Sequence, residues 1–257
     1  MSWGAGIVDL DNNGLPDLFI VTGNVYAELE KHFAKYPLRS QRLLFRNLGK
    51  GRFEELLEEA GPAIADPHVS RGCAFGDFDN DGDLDILIVN LNEPPSLLRN
   101  DVTSGNHWLK VKLVGTKSNR SAIGARVVVK VGEVTQTQEL SSQSSFLSCN
   151  DFRLHFGLGS AIKAEIQVRW PNGIWQTLAE VPADRLVTIK EGIESSPMRD
   201  GNRTEPLSPQ RCATPFRIHI RISHCGTVES SFCLVTSDRE NSSLAASCWL
   251  DFCVLRR

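Results

Sequence analysis

The chain contains no run of about 18 apolar residues, so no segment reads as a membrane-spanning helix. Its opening residues, Met1-Ser-Trp-Gly-Ala-Gly6, offer neither a basic start nor an apolar stretch, and they do not read as a signal peptide. On the sequence alone the protein is therefore either cytoplasmic or lacks its true N-terminus. No Cys-x-x-Cys pair is present, and the cysteines after residue 193 (Cys212, Cys225, Cys233, Cys248 and Cys253) have spacings that argue against a structural zinc site. Clustered basic residues are also missing, which argues against a nucleic-acid surface. The net charge of −3 instead hides a gradient: residues 1–105 carry 17 acidic against 9 basic side chains, and residues 106–192 carry 7 against 11.

The acidity of the first part is concentrated in Asp77-Phe-Asp-Asn-Asp-Gly-Asp-Leu-Asp85. Carboxylates at Asp77, Asp79 and Asp81 can converge on one centre, the carbonyl of Asp83 can add a main-chain oxygen, and Asp85 can close the shell. Hard oxygen donors in that number suit Ca²⁺. Gly82 stands where the chain must turn sharply, in a conformation costly to a residue with a Cβ. Without a cation these carboxylates would repel one another and take up protons or splay apart. An EF-hand begins similarly but needs a bidentate Glu at its twelfth position; here that position is Ile88, inside the strand-like run Ile86-Leu-Ile-Val-Asn90.

The pattern recurs 68 residues earlier. Asp9, Asp11, Asn13, the carbonyl of Leu15 and Asp17 occupy the equivalent positions, Gly14 matches Gly82, and the strand-like Leu18-Phe-Ile-Val21 follows. Gly4 and Gly72 fall in register as well. The two loops are a repeat, and the first, with Asn13 in place of Asp81, is expected to bind its ion more weakly.

These loops, Ala74-Phe-Gly-Asp-Phe-Asp-Asn-Asp-Gly-Asp-Leu-Asp85 and Ile7-Val-Asp-Leu-Asp-Asn-Asn-Gly-Leu-Pro-Asp17, resemble the FG-GAP (VCBS-type) repeat of integrin α-subunit propellers. The resemblance implies that each repeat is a propeller blade with Ca²⁺ in the loop between two strands. A short helix is expected over Tyr26–Tyr36, a strand at Arg42–Asn47 and a return strand at Arg52–Glu54. The segment Pro94–Asn100 echoes Arg42–Asn47, with Arg46-Asn47 recurring as Arg99-Asn100. A propeller usually closes with four or more blades, and residues 1–105 supply fewer than two; the sequence thus reads as the C-terminal part of a longer protein, with upstream blades elsewhere.

From Asn106 the periodicity changes. In His107–Val114 Leu109, Val111 and Leu113 alternate with Lys110 and Lys112, predicting a half-buried strand with both lysines in solvent. Ala125–Val131 and Glu165–Trp170 alternate likewise, Pro171-Asn-Gly173 is a turn, and Leu186–Lys190 closes the region. Short strands at this density predict a β-sandwich. The motifs Asn106-His-Trp-Leu, Gly115-Thr-Lys-Ser-Asn-Arg, Ile123-Gly-Ala-Arg-Val127, Leu154-His-Phe-Gly-Leu-Gly159 and Val168-Arg-Trp-Pro-Asn-Gly173 resemble the ASPIC and UnbV domain. Calcium repeats followed by that domain are similar to the cartilage acidic protein 1 family and its bacterial relatives, which implies a secreted or cell-surface calcium-binding protein.

The expected architecture is all-β: an incomplete propeller over residues 1–105, an ASPIC/UnbV β domain over 106–192, and a linker with a Cys-rich tail over 193–257 that is either a small disulfide-bonded appendage or largely unstructured. No enzyme chemistry is expected. His107 and His155 read as structural, and Ser144, Ser145 and Cys149 lack a partner at catalytic spacing. The sequence fits a calcium-stabilised adhesion or scaffold module of the extracellular space or envelope, with a protein or glycan partner that it does not name. The alternative is a carbohydrate-binding accessory protein using an exposed tryptophan, for which Trp175 is a better candidate than Trp170, because Trp170 shares its strand face with Ile166 and Val168. Three sequons, at Asn119, Asn202 and Asn241, are weak signals.

Overall fold

The computed structural model describes residues 1–33, 35–192 and the backbone of 220–222. Four antiparallel strands, β1 (Ser2–Val8), β2 (Asp17–Thr22), β3 (Leu43–Asn47) and β4 (Phe53–Leu56), form a first sheet in chain order. Strands β5 (Ser70–Gly76), β6 (Asp85–Asn90) and β7 (Ser96–Asn100) repeat the arrangement. Its fourth strand, β15 (Ile220–Ile222), comes from the tail and pairs antiparallel to β7. The remaining expectation for the tail lies outside the described residues. The blade-like repeat extends to irregularities: β1 breaks register between Ser2 and Ala5, and β5 does so between Ser70 and Cys73, 68 residues on. Between β2 and β3 the expected helix is confined to Ala27–His32, and Phe33, its anticipated anchor, is exposed.

These sheets share a core of Phe19, Val21, Leu44, Ile64, Phe75, Ile86, Ile88 and Leu98, each close to fully buried. The contact between β1 and β5 is close enough that a Cβ on Gly4 would lie 2.9 Å from the Arg71 carbonyl oxygen, so glycine is needed there. Arg42, fully buried, spans the two repeats by donating to the Ala63 carbonyl and, at 2.7 Å, to Ser96 Oγ.

A second, separate core lies between two further sheets. One contains β9 (Arg126–Val131), β10 (Val134–Glu139), β12 (Lys163–Arg169) and β13 (Trp175–Pro182) in the order β10-β9-β12-β13. The other has β8 (His107–Val114) at its centre, flanked by β11 (Leu154–Gly159) and by β14 (Arg185–Lys190), which runs parallel to it. Leu109, Val111 and Leu113 of β8, with Phe156 beside them on β11, share one core with Val127, Val129, Ile166, Val168 and Trp170, as their alternation predicts. Lys112 is exposed, but Lys110 is 3% exposed. The expectation of two solvent-facing lysines is corrected here: the reverse face of β8 is covered at Lys110 by the acidic loop before β6.

Candidate metal centre

In each blade the acidic loop joins the first strand to the second, so its first and last carboxylates are set by strand ends. Asp9, Asp11 and Asp17 each present an oxygen within 4.8 Å of the others, and Asp77, Asp79 and Asp85 do the same. Asp9, Asp11, Asp17, Asp77 and Asp85 are buried, whereas Asp79 is exposed. Both loops pass through left-handed backbone at the same positions, with Asn12 at φ 59° and Asn80 at φ 62°, then Gly14 at φ 86° and Gly82 at φ 103°.

The hydrogen bonding repeats too. Asp9 Oδ2 accepts from Gly14 N at 2.7 Å and Asp77 Oδ2 from Gly82 N at 2.9 Å. At the fifth position Asn13 Oδ1 accepts from Leu15 N at 2.6 Å, and Asp81 Oδ1 accepts from Asp83 N at 3.0 Å. The side chain that distinguishes the loops therefore spends one oxygen on its own turn in both. The closing carboxylate ties each loop to the third strand of its blade: Asp17 accepts from Leu10 N and Asn47 N at 3.1 and 2.8 Å, and Asp85 from Phe78 N and Asn100 N at 2.9 Å each. The repeated Arg-Asn pair thus has a role that its sequence echo only hinted at.

The local electrostatics are those of crowded anions. Burial, reinforced by neighbouring carboxylates, pushes Asp9 up to about 7 and Asp17 to about 6, and burial raises Asp11 against the lowering effect of its hydrogen bonds. Burial likewise pushes Asp83 to about 7 and Asp85 to about 6 and raises Asp81. Oxygen-only donors and concentrated negative charge fit a hard divalent cation such as Ca²⁺. Asp77 adds a specific sign of fit, because its Oδ1 is buried without a hydrogen-bond partner. The main-chain oxygens of Leu15 and Asp83 remain proposed donors; the Asp83 side chain itself accepts from Asn12 Nδ2 at 2.9 Å.

What the sequence did not reveal is that both loops abut the second β region. Along β11, a Cβ on Gly157 would come within 2.0 Å of Asp9 Oδ2, and Gly159 N donates to the Asn12 carbonyl at 2.9 Å. Asn106 Nδ2 donates to the Asp11 carbonyl at 2.8 Å. Over the second loop, a Cβ on Gly82 would come within 2.0 Å of Trp108 Nε1, and Arg153 donates to the Asp77 carbonyl at 2.7 Å. Lys110 Nζ donates to Asp77 Oδ2 at 2.5 Å.

Asn12 joins all three parts. Its Nδ2 donates to the Gly82 carbonyl and to Asp83 Oδ1, which leaves Oδ1 to accept from His155 Nε2 at 2.7 Å. Burial holds the His155 pKa down to about 4, so the ring is neutral near pH 7, and it stacks on Trp108 with 6.2 Å between centroids. His107 instead pairs with Asp184 at 2.7 Å. Cys149 donates to the Asn150 carbonyl, and Ser144 and Ser145 accept backbone N–H groups from Asn150 and Ala5. Trp170 is buried, as expected, and Trp175 is 53% exposed. The Asn119 side chain bonds both main-chain groups of Ile123, while Asn202 and Asn241 lie outside the described residues.

Two family models match in the order of the two cores: an FG-GAP-like repeat over residues 9–88 and ASPIC and UnbV over residues 115–196. The chain is an FG-GAP-like repeat protein with an ASPIC and UnbV domain. It is similar to cartilage acidic protein 1 from Mus musculus and from Homo sapiens, each 30% identical over 197 residues, or 74% of this chain. Cartilage acidic protein 1 of Xenopus tropicalis is 27% identical over 202 residues. The chain spans about 30% of the length of these relatives. With the family assigned, the motif Leu154-His-Phe-Gly-Leu-Gly159 acquires a physical reason: this segment of the ASPIC and UnbV domain is the one pressed against the first acidic loop.

Proposed function

We propose that the chain is a non-enzymatic calcium-binding module of an extracellular or envelope protein, serving adhesion or scaffolding, in which Ca²⁺ fixes the two acidic loops between the FG-GAP-like blades and the ASPIC and UnbV domain. Residues 1–105 and 106–192 are the two parts that the loops join. The observation that carries this reading is the repeated set of three converging carboxylates, Asp9, Asp11 and Asp17 with Asp77, Asp79 and Asp85. Asn13, Asp81 and the carbonyls of Leu15 and Asp83 complete the proposed donor sets. Ca²⁺ would supply charge neutralisation and a fixed loop shape, while the chain's own residues bind and orient.

The test is calorimetric titration of the full chain with Ca²⁺, alongside Asp11→Ala and Asp79→Ala. Each variant is expected to lose one ion, and unchanged stoichiometry and affinity in both would refute the ligand assignment. Affinities of about 10⁻⁴ to 10⁻³ M are expected for an extracellular module. A carbohydrate-binding role rests on a different observation, the exposed pair Ile174 and Trp175 at 51% and 53%. A glycan array with Trp175→Ala as control tests it; absence of any signal from the wild type would end that reading.

A further inference from the structure

The two loops match in sequence and backbone, yet their surroundings carry different charge. Against the first loop the ASPIC and UnbV domain places Gly157, the Asn106 amide and a neutral His155. Against the second it places two cations. Arg153 reaches the Asp77 carbonyl and Asn80 Oδ1, while also pairing with Asp151. Lys110 reaches further in: its side chain is 3% exposed, that of Asp77 is fully buried, and its Nζ lies 4.9 Å from the Trp108 ring centroid.

A buried ammonium must be paired or it will not stay charged. Lys110 is paired through Asp77 Oδ2, which also receives the Gly82 N–H, while Asp77 Oδ1 has no partner. The carboxylate is thus divided between an ammonium on one oxygen and the interior of the loop on the other. Its counterpart, Asp9, is divided differently, with Asn13 N on one oxygen and Gly14 N on the other. Each blade also supplies its own arginine, Arg46 acting on Asp11 and Asp17 in the first and Arg99 lying 3.8 Å from Asp79 in the second, so the arginines do not distinguish the loops.

We propose that Lys110 is the built-in counter-ion of the second loop, a tethered cation from the ASPIC and UnbV domain that holds one oxygen of Asp77 whether or not a divalent ion is bound; this rests on the calcium reading above. The second loop then keeps its shape without calcium, at the expense of affinity, because the incoming ion meets a positive charge fixed on its first ligand. Among the described residues that domain offers the first loop no such tether, and the calcium dependence of the fold is concentrated there. This reverses the order of affinity expected from counting carboxylates.

The test compares the wild type with Lys110→Met, both as full chains, by calcium calorimetry and by thermal melts in calcium and in chelator. Removing the fixed charge is expected to tighten one of the two sites by about tenfold or more, to lower the melting temperature in chelator, and to enlarge the rise produced by calcium. Unchanged or weaker affinity in folded Lys110→Met overturns the proposal. Should that variant not fold, Asp11→Asn and Asp79→Asn decide: the first is expected to abolish most of the calcium-induced rise in melting temperature and the second little of it, and the reverse order overturns the proposal. Absence of any calcium binding by the wild type would instead refute the reading on which it rests.

Discussion

Glu191 illustrates how single residues fix the joints of this molecule. Its carboxylate accepts from the main-chain N–H groups of Thr116, Lys117 and Ser118 at 2.9, 2.7 and 2.7 Å and from Ser118 Oγ at 2.9 Å. Burial alone would raise its pKa, but the N–H groups of Ser118, Lys117 and Thr116 outweigh that and hold it at about 2. Because the folded value lies below the ordinary 4.5, the contribution is fully present above about pH 4.5 and disappears as the pH falls towards 2. Glu191→Gln is expected to lower the melting temperature by several degrees at pH 7 and to flatten its decline between pH 4.5 and 2, as measured by circular dichroism. An unchanged acid profile would contradict this role. The motif Gly115-Thr-Lys-Ser-Asn-Arg was visible in the sequence, but its purpose was not, because the anion it receives lies more than seventy residues downstream.

Among the elements, β8 and β11 explain both the success and the limit of reading the sequence. The inward row Leu109, Val111 and Leu113 follows from alternation alone, since a two-residue period needs only one buried face. Lys110 could not be read that way, because its burial depends on which element covers the reverse face. The carboxylate spacing likewise disclosed the loops, while the placement of β11 against Asp9 left only a glycine as its trace. Gly157→Ala puts a Cβ 2.0 Å from Asp9 Oδ2 and 2.6 Å from Asn12 Cα. Overpacking of this kind costs about 1–3 kcal/mol, and the variant is expected to melt lower in urea and to bind calcium more weakly at the first loop. Asn12→Ala removes the link among the two loops and His155 and is expected to cost about 1–3 kcal/mol, because the buried Gly82 carbonyl loses its donor and the buried His155 Nε2 its acceptor. Stability equal to the wild type in chemical denaturation would show that these contacts do not hold the parts together.

At the scale of the whole molecule, two hydrophobic cores meet across polar loops. One core runs from Leu10 to Val102 and the other from Leu109 to Ile189. Between them lie carboxylates, amides, a neutral histidine and one buried ammonium, so the joint depends on charge balance and hydrogen bonds. A cation that neutralises the loops would stabilise both sides of that joint. At 100 times its dissociation constant, a ligand that prefers the folded state adds about 2.7 kcal/mol per site, and the first loop is expected to supply most of the effect. At roughly 2–4 °C per kcal/mol for a chain of this size, one such site corresponds to about 5–11 °C. The most direct measurement is therefore the melting temperature of the full chain in saturating calcium and in chelator, joined to the calorimetric stoichiometry. Binding of about two ions with a rise of about 5 °C or more is the predicted result; equal melting temperatures with no heat of binding would contradict calcium as the fastener of this joint.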